Sequence, residues 1–428
     1  MSAGICILNK NAIAMAADSA VTIGNHLAVH NSANKLFSMS RIAPVGAIIY
    51  SSTSLMGVPF ELIIKEYKKK IGDFTFPLLK DYFSDFVNFI ERNKDLFLLE
   101  QHEESYIKSV FVNLISGLNI DFRNAINKKI QSIKRQLKKE EEKAIAKEAC
   151  EQTLRFIDSF EKNSDSAFYD YVKDKYSLSF YSIIKSDKTF EWIDDEYARF
   201  ISEKSCLLYD TKFERNGYVG FAIAGYGDNE IFPQLTHVHV QGYINGKLKY
   251  HIVENVSISD NTIASIVPLA QTDVMQTFLF GINDSFLNEL SNTIPNELLN
   301  TIGDKTGIIC ADRTDDFNVL VLKSRDSIVS KMANKAKAEY MKPIIISVST
   351  LPIEEMALLA ESMINITSLR RKVALDNNIG TVGGPIDVSI ISKGDGFIWL
   401  KRKHYFDRKL NPQYFYSHFE SNKEVNEE

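Results

Sequence analysis

MSAGICILNKNAIAMAADSAVTIGNHLAVHNSANK, running from Met1 to Lys35, is the stretch on which the reading of this chain turns. Two short apolar runs, 3–9 (AGICILN) and 12–17 (AIAMAA), flank Lys10-Asn11, and that pattern predicts two strands joined by a hairpin turn. A hairpin returns its second strand to the start of the first, so Asp18, which closes the run Ala16-Ala17-Asp18-Ser19, is expected beside Ser2. Residues 27–38 (LAVHNSANKLFS) predict a further short strand pair that brings Lys35 to the same corner.

Those three residue types suit one kind of chemistry. Removal of Met1 would leave Ser2 with both a hydroxyl and a free α-amine, whose ordinary pKa of about 7.7–8.0 makes it available as a base. A hydroxyl is a weak nucleophile until a neighbouring base takes its proton, and an N-terminal amine is one way to supply that base. A buried lysine beside the hydroxyl eases its deprotonation. A carboxylate must then keep that lysine charged, because burial lowers a lysine's pKa.

The pattern resembles the proteasome β-subunit and HslV branch of the N-terminal nucleophile (Ntn) hydrolases. In that family an N-terminal Thr precedes a strand hairpin, then Ala-Ala-Asp-Ser, then a Lys followed by an apolar strand. The resemblance puts Ser2 on the nucleophile, Asp18 on the acid and Lys35 of Lys35-Leu36-Phe37 on the lysine. Ile48-Ile49-Tyr50-Ser51-Ser52 resembles the strand and turn whose backbone N–H forms the oxyanion hole, with Ser52 where the family usually has Gly. Gly225-Tyr226-Gly227 resembles a Gly-Ser-Gly turn beside the nucleophile, with Tyr226 in the place of the supporting Ser. Gly383-Gly384 and Asp395-Gly396 resemble the paired glycines and the hairpin turn near the family's C-terminus. There the family's Ser and Asp fall on Val382 and Ile379, with Asp376 and Asn378 close by, so that supporting pair is not carried over.

Elsewhere the period changes. Phe60, Leu62, Ile63, Ile64 and Tyr67 predict an amphipathic helix opening near Pro59. Residues 73–205 read as helical, in pieces at about 77–92, 103–116, 119–162 and 165–173, with a break near Lys138–Glu142. The KKEEEK run there is a solvated helix face. Residues 235–258 alternate with period two about Asn245-Gly246, a strong hairpin signal, and place His237 and His239 on one face without a third ligand at recognisable spacing. A helix is expected over 272–299, and another opens at Pro352.

The bulk properties narrow the field. The chain has 428 residues, of which 45% are hydrophobic and 25% charged, an ordinary globular composition. A net charge of −5 argues against general nucleic-acid binding. Cys6, Cys150, Cys206 and Cys310 are too dispersed for a metal or redox motif and read as reduced thiols. No basic n-region with an apolar h-region opens the chain, and no apolar run is long enough to cross a bilayer.

The resulting expectation is an α+β protein, a four-layer αββα Ntn-hydrolase sandwich with an inserted helical subdomain. Its parts would be a core piece at 1–72, a helical insertion at 73–205, a second core piece at 206–410 and a polar tail at 411–428. The function the resemblance implies is amide or peptide bond hydrolysis by an N-terminal serine. Ser2, Asp18 and Lys35 are its catalytic residues, and the Ser52 backbone holds the oxyanion. No cofactor, metal, nucleic acid or membrane is expected. The protein would be a cytoplasmic homo-oligomer acting on a peptide or amide substrate. Two other readings stay open: a non-catalytic proteasome-like scaffold whose helical insert binds partners, and an acylase acting on a small molecule.

Overall fold

In the computed structural model, which describes residues 2–23, 28–94, 100–160, 168–214, 217–306, 314–373, 382–404 and 406–415, the N-terminal hairpin forms as expected. Strands β1 (Ala3–Asn9) and β2 (Ala12–Ala17) pair antiparallel with Gly4 opposite Ala17. They form the middle of a five-stranded antiparallel sheet with β12 (Ala264–Ala270) beyond β1, and β13 (Asp387–Ser392) and β14 (Gly396–Lys401) beyond β2. A second five-stranded antiparallel sheet runs β11 (Lys247–Ser257), β10 (Gln234–Ile244), β9 (Val219–Gly225), β6 (Val45–Ser51), β5 (Leu36–Ser38).

Both faces of β1 and β2 are buried, which is why their sequence is a continuous apolar run rather than an alternating one. Cys6, Leu8, Ile13 and Met15 point into a cluster that also contains Ile48, Tyr50, Ala222 and Ala224 of the second sheet, so the two sheets face each other. The intervening residues Ile5, Ile7, Ala14 and Ala16 join Met356, Ala360, Met363 and Ile364 of a helix at Ile353–Val373 on the opposite face. The second sheet repeats the arrangement. Its outward Ala47, Ile49, Phe221 and Val238 pack on Phe60, Ile63 and Tyr67 of α1 (Phe60–Ile71) and on Tyr82 and Phe86 of α2 (Leu79–Arg92).

That placement corrects one expected boundary. Residues 79–92 belong with the sheet, because the apolar stripe of α2 is covered by β9, β10 and β11. The helical unit proper begins with α3 (Glu100–Ile133), which runs through the predicted gap at 117–118. It continues with α4 (Lys139–Asp158), α5 (Phe168–Ser186) and α6 (Asp195–Lys204). The break falls at 134–138, where Lys134 takes a left-handed φ of 50°, slightly before the predicted position. These helices share their own core, including Phe111, Phe180, Ile201 and Tyr209, which meets the second sheet at Ile244 of β10.

Other expectations fare unevenly. The strand pair over 27–38 is not one: β4 (Ala28–His30) pairs with β3 (Val21–Ile23), and β5 pairs with β6, while the short β7 (Ser54–Leu55) and β8 (Val58–Pro59) pair with each other. The β10–β11 hairpin turns at Asn245-Gly246, both with positive φ (49° and 78°). The helix expected at 272–299 is divided by Gly281 into Asp273–Phe280 and Asp284–Thr306. Cys6, Cys150 and Cys206 are buried, unpaired thiols. No helix among the described residues is long and apolar enough to cross a membrane.

Candidate active site

The N-terminal corner assembles where the end of β2, the start of β1 and the start of β5 meet. Asp18 and Lys35 are both buried to within 1% of complete, and the Lys35 ammonium donates to Asp18 Oδ1 at 2.6 Å and to the carbonyl of Ala20 at 2.5 Å. The backbone fixes the carboxylate as firmly. Ala3 N–H donates to Oδ1 at 2.9 Å, while Ala20 N–H and Gly383 N–H donate to Oδ2 at 3.2 and 3.1 Å. Asp18 therefore accepts from four donors, and its own N–H donates to the Ala3 carbonyl at 3.1 Å. Burial pulls the Lys35 pKa below its ordinary value, and the charge and hydrogen bond of Asp18 pull it back up.

Ser2 lies one residue from this pair and is buried, its carbonyl accepting from Gln271 N–H at 3.2 Å. The Gln271 side chain in turn accepts from Arg371 Nε at 2.6 Å, and Arg371 also holds Asp273 at 2.7 Å. Among the described residues no hydrogen bond joins the Ser2 hydroxyl to Lys35 or Asp18. The link between them runs through the Ala3 amide.

Two sequence expectations need correction. Ser52 N–H donates to Tyr218 O at 3.0 Å, just past the β6–β9 pairing, and its hydroxyl bridges to Ser54 O at 2.8 Å. That amide is occupied and is not an open oxyanion donor. Tyr226 is not beside Ser2. Lys35 O accepts from Ile49 N–H at 2.8 Å, so the site sits at the C-terminal end of β6, where Ser51 faces Val219. Antiparallel β9 ends at the other extremity, with Gly225 opposite Val45, and Tyr226 donates there to Asn11 O in the β1–β2 turn at 3.3 Å. The Gly-Tyr-Gly turn is thus a turn at the opposite end of the sheets.

Gly383-Gly384 does reach the site. Besides the Gly383 contact to Asp18, Ser19 N–H donates to Gly383 O at 3.1 Å and the Ser19 hydroxyl donates to Pro385 O at 2.5 Å. Val382 is buried in the apolar cluster under the first sheet and accepts at its carbonyl from the Ser368 hydroxyl at 3.3 Å. Asp376, Asn378 and Ile379 lie outside the described residues, as does most of the polar tail.

Sequence reasoning missed Asp387 and Lys403. Asp387 stands opposite Ala17 at the start of β13, is buried, and accepts from Lys403 N–H at 2.9 Å and from the Lys403 ammonium. The positive charge of Lys403 is close enough to lower the Lys35 pKa further. The available signal was a single acid inside the apolar run PIDVSII, just after the two glycines.

A cavity of about 370 Å³ opens at the same end of β6, lined by Ser52, Ser54, Met56, Tyr106 and Tyr218 between the second sheet and α3. A slightly larger one of about 400 Å³, lined by Tyr67, Phe89 and Arg92, lies between α1 and α2. No family model and no curated protein sequence matches this chain.

Proposed function

We propose that this chain is a proteasome-like N-terminal-serine hydrolase of amide or peptide bonds, built as a four-layer αββα Ntn sandwich with a helical insertion. The observation that carries the reading is the buried Lys35–Asp18 pair, tied by the Ala3 amide to the residue that follows Ser2. Replacing a buried ion pair by well-packed apolar residues is often neutral or stabilising, so stability alone gives little reason to keep even this fully hydrogen-bonded one.

In this mechanism Met1 is removed and Ser2 becomes the first residue. The Ser2 hydroxyl oxygen attacks the substrate carbonyl while the Ser2 α-amine takes its proton, and the same amine returns that proton to the departing amine. The acyl ester on Ser2 is then cleaved by water, activated by the α-amine. Lys35 contributes positive charge that lowers the proton affinity of the hydroxyl, and Asp18 keeps Lys35 charged and oriented. The substrate is a peptide or amide, and the active form is a cytoplasmic homo-oligomer.

A second reading is a non-catalytic scaffold with the helical unit as its partner-binding part. It is favoured by the occupied Ser52 amide. The two readings separate on intact mass and mutants. The hydrolase requires a mass short by one methionine, and amide-bond cleavage that Lys35→Ala and Asp18→Asn abolish. Retention of Met1, or full activity in both mutants, would sink it.

A further inference from the structure

His237 and His239 share a face of β10, and the fold supplies the partners that their spacing alone did not. His251 of β11 stands directly across from His239 in the ladder, and Glu214 arrives from the segment leading into β9. One ligand atom from each of Glu214, His239 and His251 lies within 4.8 Å of those of the other two. Glu214 Oε1 is 2.6 Å from His239 Nδ1 and 3.1 Å from His251 Nε2. The far nitrogen of His239 is held as well: Nε2 is 2.8 Å from the Tyr50 hydroxyl, which is 2.5 Å from His237 Nε2, and His237 Nδ1 is 3.3 Å from Glu254. Tyr218 stacks on the His239 ring at 3.7 Å, and the Tyr50 ring lies against Gly220 where any Cβ would collide with it.

Proton counting separates two states of this chain of groups. With nothing bound, Glu214 needs a donor from His239, so the proton sits on Nδ1 and Nε2 accepts from Tyr50. His237 Nε2 must then donate to the Tyr50 oxygen, which leaves its Nδ1 lone pair facing the Glu254 carboxylate. With a cation between Glu214, His239 Nδ1 and His251 Nε2, the His239 proton moves to Nε2 and is donated to Tyr50. Tyr50 donates to His237 Nε2, and His237 Nδ1–H donates to Glu254. Each neutral group in the series then faces a complementary partner. His251 Nδ1 is buried and has no partner among the described residues in either state, so it does not discriminate.

We infer that Glu214, His239 and His251 form a binding site for a zinc-class divalent cation, with Tyr50 and His237 setting the tautomer of His239. Two borderline imidazole nitrogens beside one hard carboxylate suit zinc and its first-row neighbours better than magnesium or calcium, which favour all-oxygen ligand sets. Bond lengths of about 2.0–2.2 Å to nitrogen and oxygen put the ligand atoms of a tetrahedral ion roughly 3.3 Å apart, so the Glu214 contacts at 2.6 and 3.1 Å would open by less than an ångström to admit it. Three protein ligands leave a fourth position for water or another group. The relay through Tyr50 matches the usual support of a ligating histidine by a hydrogen bond on its other nitrogen. Lys249, two residues before His251, has its ammonium on Leu208 O at 3.1 Å. The inference stands whether or not Ser2 is a nucleophile.

The test uses the full chain, stripped by chelator and titrated with Co²⁺ while visible d–d absorption is followed, and with Zn²⁺ by calorimetry. One ion per chain with the intense bands of a tetrahedral cobalt site is expected. His239→Ala and His251→Ala should each weaken binding by about 100-fold or more, and Tyr50→Phe by about 10–100-fold. His404→Ala should bind as the parent does. X-ray absorption at the zinc edge of the unmutated protein should give two imidazoles per zinc, a readout independent of any variant's folding. Absence of cobalt bands and binding heat, an edge spectrum without imidazole scattering, or unchanged affinity in folded His239→Ala/His251→Ala would overturn the site.

Discussion

Replacing Asp18 by Ala should destabilise the sheet core far more than replacing Lys35 by Met, although the two residues share one ion pair. Asp18→Ala strands the Lys35 ammonium with only Ala20 O and leaves the N–H groups of Ala3, Ala20 and Gly383 without acceptors. Removing one partner of a buried pair costs about 3–5 kcal/mol, and each orphaned amide about 1–3 kcal/mol before water or relaxation reduces it. A total loss of at least about 5 kcal/mol follows, comparable with the whole stability of many domains. Lys35→Met instead leaves the carboxylate with three backbone donors and fills the space of the lysine stem, so its cost should be nearer ~1–3 kcal/mol. The double variant should be more stable than Asp18→Ala alone, because the unpaired buried charge is gone. Urea unfolding at neutral pH measures this. With Trp192 of the helical unit replaced by Phe, the fluorescence of Trp399 on β14 reports the sheet core. Equal losses in the two single variants, or additivity in the double, would refute the reasoning.

Lys35 also sets a pH dependence. Its folded pKa is lowered, chiefly by burial, so between that value and the ordinary lysine value the unfolded chain binds more protons than the folded one. Its contribution to stability should therefore rise with pH through that window, and Lys35→Met should flatten the slope; an unchanged slope in urea melts would contradict the assignment. Under the proposed mechanism hydrolysis needs the charged lysine and should fall on the alkaline side below pH ~10.4, as read from a rate–pH profile. Gly384→Ala should cost ~1–3 kcal/mol and weaken Ser2 reactivity, since its φ is 77° and a Cβ would meet Asn31 O at 2.8 Å beside the Gly383–Asp18 contact; a neutral melting temperature would refute it. Ser2→Ala should abolish amide cleavage while leaving the circular dichroism spectrum and melting temperature close to the parent's, and retained turnover would exclude Ser2 as nucleophile.

What was legible in the sequence was local. The hairpin about Lys10-Asn11 brings Asp18 to the start of β1 by strand geometry alone, and an apolar run ending in one acid is enough to predict it. Lys35 followed because β5 starts there, although its partner strand is β6 rather than 27–30. The errors concern direction and register across the sheet. A glycine-flanked turn after β9 reads the same at either end of the sandwich, and only the antiparallel β6–β9 ladder puts Tyr226 at the far end. The occupied Ser52 amide depends likewise on Tyr218, 166 positions later in the chain. The stripe of α2 announced that one face is covered but not by what. Glu214 and His251 could not be paired with His239 from spacing, because a ladder and a preceding loop, not a helix turn, bring them together.

The most direct test of the central claim is treatment of the purified, untagged protein with an epoxyketone that requires both a hydroxyl and an α-amine on the same residue, followed by intact mass and peptide mapping. Loss of Met1 and one adduct per chain are expected, the adduct located on Ser2 and missing in Asp18→Asn and Lys35→Ala that remain folded. Retained Met1, or an unmodified Ser2 in a correctly processed chain, would contradict it.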